Sequence, residues 1–258
     1  MSAVAILLGK ELREAWRTRR LPMVALMFLA IGIISPLTAR YLPDILKAAL
    51  GDQAAGIPIP TPTATAALEQ LQKNLGQLGA LAAIAIAMGA VSGELDRGTA
   101  ALVLAQPVSR AAFLVAKLAS IGAVLAISTV AAVAAAWAYT AILFEPLPVG
   151  GWLALALLAW LALFAWASLT FLASAATGST TAAAGLGFLA LIAVSFASVV
   201  PALERLLPAG LTTPGILIAA GTTDGLDAAK LATAIAGTAV LISAGAVGAI
   251  IAFRRREL

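Results

Sequence analysis

The chain has no cysteine and no histidine among its 258 residues. That removes thiolate and imidazole metal ligation, haem ligation, disulfides, and nucleophilic or acid–base chemistry by either side chain. Most intramembrane enzyme chemistries fall with them. Charge is scarce as well: Asp, Glu, Lys and Arg make up 11% of the chain against 62% hydrophobic residues, where a soluble domain is about a quarter charged and about half apolar. A soluble globule must still present a polar surface, so lipid replaces water over much of this one. A mean hydropathy of +1.04 agrees. No Gly-x-x-x-x-Gly-Lys-Ser/Thr run occurs, which excludes a P-loop ATP site. Nothing in the residue set points to a catalytic group, a bound cofactor or a metal centre.

What the sequence does have is uncharged apolar runs close to the roughly 20 residues that cross a bilayer. Six are predicted as transmembrane helices, at about 21–39, 75–92, 118–144, 152–176, 180–200 and 231–253. The chain reads as an all-α integral membrane protein with both termini on one side. The net charge is +4, and its placement decides the orientation. With the N-terminus inside, 11 of the 16 Lys and Arg are cytoplasmic and 5 are outside, so both termini are expected in the cytoplasm. A nucleic-acid partner is the weaker explanation of the basic balance. The charged start is long, and no small-residue cleavage pattern follows the first apolar run, so that run is expected to remain as a span.

Ahead of the first span, residues 2–20 form a separate amphipathic segment. At 100° per residue Val4, Ala5, Leu8, Leu12, Ala15 and Trp16 share one face and Lys10, Arg13, Glu14 and Arg17 the other, with Ile6 and Leu7 breaking the pattern. Such a helix suits the headgroup plane, and Pro22 can begin the next helix after a sharp turn; a plain basic flank that enforces topology is the other reading.

Two long exterior segments are expected, 40–74 and 201–229. The first carries the Pro/Thr-rich run 57–65, whose prolines exclude a helix there, flanked by helical stubs at about 44–50 and 66–75. The second reads as broken short helices, with an apolar piece at 214–221 too short to span and placed to be re-entrant, interfacial, or packed on the outer helix ends. Gly89 and Gly93 fit the small-residue spacing of close-packed membrane helices, a pattern common throughout this Ala-rich chain.

The spans hold essentially no ionisable residue, Glu145 and Lys117 lying near their ends. This disfavours a carboxylate relay of the kind ion-coupled carriers use. The longest interior loop, 93–117, then draws attention. Gly98 allows a turn, Thr99 can cap a short helix of about 10 Å at 100–106, Pro107 stops it, and Ser109 caps the next helix. Leu102, Val103 and Leu104 form an apolar knob bracketed by Glu94, Asp96, Arg97 and Arg110. From the residues alone it fits equally a groove in another protein and a lipid surface.

The order Glu94, Gly98, Thr99, Leu102, Val103, Leu104, Pro107, Ser109, Arg110, Phe113, Lys117 resembles the first cytoplasmic loop of ABC-2 type exporter permeases. The wider layout agrees: a basic amphipathic helix with Lys10 and Glu11, six spans, a broken exterior segment before the last span, and a closing Arg-rich tail at 253–258. It is similar to the subgroup containing the permease of nitrous-oxide-reductase maturation and related bacterial drug, bacteriocin and sodium exporters. The resemblance implies a type V-like exporter permease fold, with residues 1–20 as elbow helix and 21–258 as the six-helix permease domain, in a bacterial or archaeal plasma membrane. It implies a homodimer, or a heterodimer with a sister permease, and two separate ABC ATPases that bind the ATP and Mg, so that this chain is not itself an enzyme. It further implies that residues 94–110, including Leu95, form the ATPase-coupling helix, and that Leu8, Lys10, Glu11, Leu12, Arg13, Trp16 and Arg17 belong to the elbow. The second cytoplasmic turn, 176–181, is short and uncharged, so any second ATPase contact there is neutral and minor. Two other classes stay open. One is a stand-alone channel or Na⁺-linked carrier, with Ser128, Thr129, Thr140 and Ser195 as lining candidates; the other is a non-transporting membrane anchor that holds an exterior partner through 57–65.

Overall fold

The computed structural model describes residues 3–51, 61–98, 108–222 and 224–255. Thr99, Leu102, Val103, Leu104 and Pro107, the Pro/Thr run before residue 61, and residues 256–258 lie outside that set. Every regular element among the described residues is helical. Six helices are long and apolar enough to cross a membrane. After the N-terminal helix α1 (Ala3–Arg17), α2 (Arg20–Leu50) rises as the first span. The second is composite: α3 (Ala64–Asn74), a π-helical stretch (Leu75–Gly79) and α4 (Ala80–Met88), ending in the short α5 (Ser92–Asp96). Then come α6 (Arg110–Leu143), α7 (Val149–Thr177) and α8 (Thr180–Ala197). The broken segment is α9 (Pro201–Glu204), a 3-10 turn (Pro208–Leu211) and α10 (Thr212–Ala220), and α11 (Ala228–Arg254) is the last span.

The helices outrun the apolar windows read from the sequence. The expected stubs at 44–50 and 66–75 are continuous with α2 and α3 rather than separate pieces. At 31 residues α2 is about 46 Å long, well beyond a hydrocarbon core of about 30 Å, so its end with Arg40 and Lys47 projects into the polar zone. Hydropathy sees where a helix leaves the hydrocarbon, not where its hydrogen bonds stop. Local capping sets the real ends. Thr63 and Ser109 accept from the backbone N–H of Ala66 and Ala112 through their hydroxyls, and the Asp227 carboxylate accepts from Ala229 and Lys230, each satisfying an orphan donor at a helix start. The bonds from the Lys230 and Ala229 amides hold the Asp227 carboxyl below its ordinary range.

α6 and α7 form the centre. α2 packs along α6, and α11 along α7. Because lipid tails are as apolar as leucine, close backbone approach rather than water exclusion holds such helices together. The α2–α6 crossing shows this: a Cβ on Gly32 would overlap the Ala132 backbone carbonyl. Near this crossing the Asn74 amide donates to the Ser35 hydroxyl (2.9 Å), which donates to the Ile31 carbonyl (2.6 Å). At the periphery α8 buries only Ala183 and Gly187 and exposes Leu186, Phe188, Leu189 and Phe196, a surface that hydrocarbon solvates and water would not.

Of the alternatives for the broken segment, the structure seats α10 against α7 and α3. Leu158, Leu211 and Ala234 form a small apolar cluster there, and Leu158 lies about 13 Å into α7, so the segment dips beside the bundle. The opposite end carries both termini: α1 packs on α6, and the end of α11 meets the start of α6.

Replacing Gly32 by Val is expected to destabilise the chain by about 1–3 kcal/mol through overpacking. Gly9→Ala in α1, where nothing lies within 4 Å of an added Cβ, is expected to be neutral or stabilising by about 0.5–1 kcal/mol. Thermal unfolding midpoints of the two variants in one detergent check the contrast.

Candidate functional site

At the end that carries the termini, α1, α5 and α6 converge on one side chain. Lys117 lies two turns inside α6 and is 4% exposed. Its ammonium is 3.0 Å from the Glu11 carboxylate of α1 and 2.5 Å from that of Glu94 in α5, and sits 5.1 Å over the centre of the Phe113 ring. The sequence placed Lys117 near the end of a span, among the interior-loop cations. The helix begins at Arg110 instead, so Lys117 is enclosed and acts as a structural cation. Phe113 in turn packs on Phe253 of α11, ring centres 6.0 Å apart, and the Arg110 guanidinium lies 3.4 Å from the carbonyls of Phe253 and Arg254, where a cation suits a helix C-terminus.

Glu94 is 7% exposed and turned inward. Its helix α5 has only five residues, too few to stand on its own hydrogen bonds, and it is held from outside. The Ser174 hydroxyl of α7 accepts from the backbone N–H of Val91 (3.2 Å) and Ser92 (3.0 Å), an N-terminal cap supplied by a neighbouring helix. The Ser92 hydroxyl donates to the Met88 carbonyl and lies 2.9 Å from that of Thr180 at the start of α8. The uncharged turn at 176–181 therefore braces the root of the 93–117 loop. Arg97 folds back to donate to the Gly93 carbonyl (2.7 Å), and Gly98 turns the chain outward at φ +69°. Leu95 is half-buried, whereas Asp96, Arg97, Gly98 and Ser109 are exposed.

The elbow candidates divide differently from the sequence expectation. Leu7 and Ala15 are the buried residues of α1, whereas Trp16 is 65% exposed. Leu8, Leu12 and Glu11 are half-buried, and Lys10, Arg13 and Arg17 are exposed. The helix has two apolar sides, one against protein and one facing away, and hydrophobic periodicity cannot separate them. The Arg19 backbone is left-handed at φ 60°, a conformation unusual for a residue with a side chain, and turns α1 into α2. Lys10 joins the network 3.3 Å from Glu11 and 3.7 Å from Glu14. Burial opposes its charged form, but Glu11, Glu94 and Glu14 together hold its ammonium above the ordinary lysine range. Its ion pairs therefore persist at neutral pH and are lost only as pH rises through that raised value.

The carboxylates of Glu11, Glu14 and Glu94 lie within 4.8 Å of one another beside a small cavity of about 40 Å³. Lys117 and Lys10 already stand where a metal ion would, so the trio reads as an ion-pair network. The carrier candidates are not brought together: Ser128, Thr129 and Thr140 are fully buried along α6, while Ser195 is exposed on α8. The Ser92–Ser174–Thr180 contact was missed by sequence reasoning; hydroxyls are abundant here, and only folding selects these three.

Lys117→Met would leave Glu11 and Glu94 as neighbouring buried anions and is expected to cost about 3–5 kcal/mol. The triple change Glu11→Gln, Glu94→Gln, Lys117→Met is expected to recover most of that loss. Thermal unfolding in detergent across the single and triple variants measures it; equal losses in both would show that packing, not charge balance, sets the cost.

Residues 5–216 match the family described as "ABC-2 family transporter protein", an interval that runs from α1 into α10. A relative, the uncharacterized transmembrane protein YxlG of Bacillus subtilis (strain 168), is 30% identical over 147 residues, which is 56% of this chain and 57% of that protein; the chain thus spans little more than half the length of this relative. With six apolar helices and a family match over most of its length, the chain belongs to the ABC-2 transporter family, as a multi-pass membrane component of transport.

Proposed function

We propose that the chain is the membrane subunit of an ATP-driven exporter, working as a pair of copies or with a sister permease above two separate ABC ATPases, with both termini in the cytoplasm. The family as a whole works with ABC ATPases. The observation that carries the reading is the anchoring of the 94–110 segment. Its root is fixed on both sides: Glu94 pairs with Lys117 of α6, which also holds Glu11 of α1, and Ser92 just before it bonds Ser174 of α7 and Thr180 of α8. A displacement of the loop by a closing ATPase pair would therefore move α1, the starts of α6 and α8 and the end of α7 together, a rigid-body step of the kind that repacks an interface between subunits. ATP and Mg belong to the ATPase, and the residues of this chain supply docking and force transmission.

On this reading the docking contacts divide in two. Leu102, Val103 and Leu104, with exposed Asp96 and Arg97, meet the ATPase, while Glu94 acts within the permease by holding Lys117. Leu102→Asp is expected to weaken ATPase docking by at least about 30-fold, the effect of a lost 2 kcal/mol anchor, and to abolish stimulation of ATP hydrolysis by the permease. Membrane insertion and thermal stability are expected to stay unchanged. Co-purification with the ATPase and the ATPase rate in liposomes read both; normal docking and stimulation in this variant would overturn the proposal. Transport by vesicles that contain this chain and no ATPase would favour the stand-alone carrier.

A further inference from the structure

We propose that a groove on the outside of the bundle binds one acyl chain of an anionic phospholipid whose phosphate is held by Arg254. The groove, of about 380 Å³, lies among α6, α7 and α11 and runs from Val115 to Ala126 along α6, with Ala246 opposite. Eleven residues of helix make about 16 Å, close to half of the roughly 30 Å hydrocarbon core, so the groove spans one leaflet. One wall is built flat: Trp160 and Phe164 of α7 are stacked with ring centres 5.5 Å apart and planes 10° from parallel. The indole N–H of Trp160 donates to the Gly122 carbonyl (2.9 Å), which hides the only polar atom of that wall and locks the ring in place. Gly122 is required for the fit, since a Cβ there would meet Phe164 at 3.0 Å.

The charge lies at one end. Arg110 touches the carbonyls of Phe253 and Arg254, so the start of α6 and the end of α11 are level. Val115 is about 8 Å and Ala246 about 12 Å from that level along their helices. Arg254 and Arg255 are exposed there; Arg254 leaves α11 about 80° round from Ala246, within reach of a phosphate below the groove, whereas Arg255 leaves it on the far side. A straight hydrocarbon chain with a net negative head matches the apolar walls and the basic end together; a zwitterionic lipid offers the same chain and phosphate without the net charge, and a second copy's apolar helix offers no charge for the arginine.

The test uses the full chain in nanodiscs of phosphatidylcholine with a minor share of phosphatidylglycerol, one of the two lipids carrying brominated acyl chains. Quenching of Trp160 is taken as the difference between the native chain and Trp160→Phe. Brominated phosphatidylglycerol is expected to quench Trp160 preferentially, by about five-fold, the effect of one arginine. Arg254→Gln should bring the two lipids to parity, and Ala246→Phe should remove quenching by both. Equal quenching by the two lipids in the native chain, or a preference that survives loss of Arg254, would overturn the proposal. So would disulfide cross-linking between copies through Ala126→Cys, which is a sole thiol in this cysteine-free chain and would show that a second copy fills the groove.

Discussion

An ammonium taken out of water costs several kcal/mol even after the surrounding protein relaxes, and Lys117 is enclosed at 4% exposure. It is tolerated because two carboxylates meet it, and neither comes from its own helix. Glu11 brings α1 to the bundle, and Glu94 brings α5, at the start of the long loop. The demand for countercharge at one atom thus ties to the bundle two elements that are not themselves spans. The phenyl ring of Phe113 beneath the ammonium extends the same point to α11, through Phe253. Ion pairing here contributes position more than net stability, since a well-packed apolar set can often replace such a group without loss.

The rest of the bundle is held by a different physics. Inside hydrocarbon no water is released when helices meet, so contact depends on close approach and on hydroxyl and amide hydrogen bonds. Gly32 against Ala132 and Asn74 to Ser35 serve α2, while Ser168 to the Ile242 carbonyl ties α7 to α11. The two regimes lie at different heights in the bundle: small residues and neutral polar groups join the spans, and the buried ion pairs sit at the end where the termini lie. Ser174 stands at the boundary. Its hydroxyl supplies the missing cap of α5, so a five-residue helix that cannot support itself is rigidly joined to a 29-residue span. The proposed transmission of force from an ATPase needs rigidity at the root of the loop, because a soft hinge there would absorb a push before it reached the spans.

Much of this architecture was legible in the sequence because membrane crossing is a local property. Six apolar windows, the broken piece at 201–229, the cap Ser109 and the turn at Gly98 follow from composition and short-range backbone chemistry, and each has its counterpart in the structure. Glu11, Glu94 and Lys117 were also singled out, but as members of separate segments: an amphipathic face, a loop edge and a span end. Glu94 looked like a surface acid and is buried; Trp16 looked like the apolar contact of α1 and is exposed, while Leu7, which broke the pattern, is buried. A residue's periodicity records how apolar its side of a helix is and not which of two apolar neighbours covers it.

The sequence by itself determined that this chain lives in lipid, how many times it can cross, and that it carries neither a P-loop nor Cys or His chemistry, since each depends on residue types and on runs of neighbours along the chain. The tertiary structure alone decided that Lys117 would meet residues 106 and 23 positions away, that Ser174 would cap a helix from another span, and that Trp160 would stack on Phe164 and reach the Gly122 carbonyl of the neighbouring helix. Charge pairing and capping act over about 3 Å in space, and distances along a chain that folds back on itself five times do not reveal which groups will come that close.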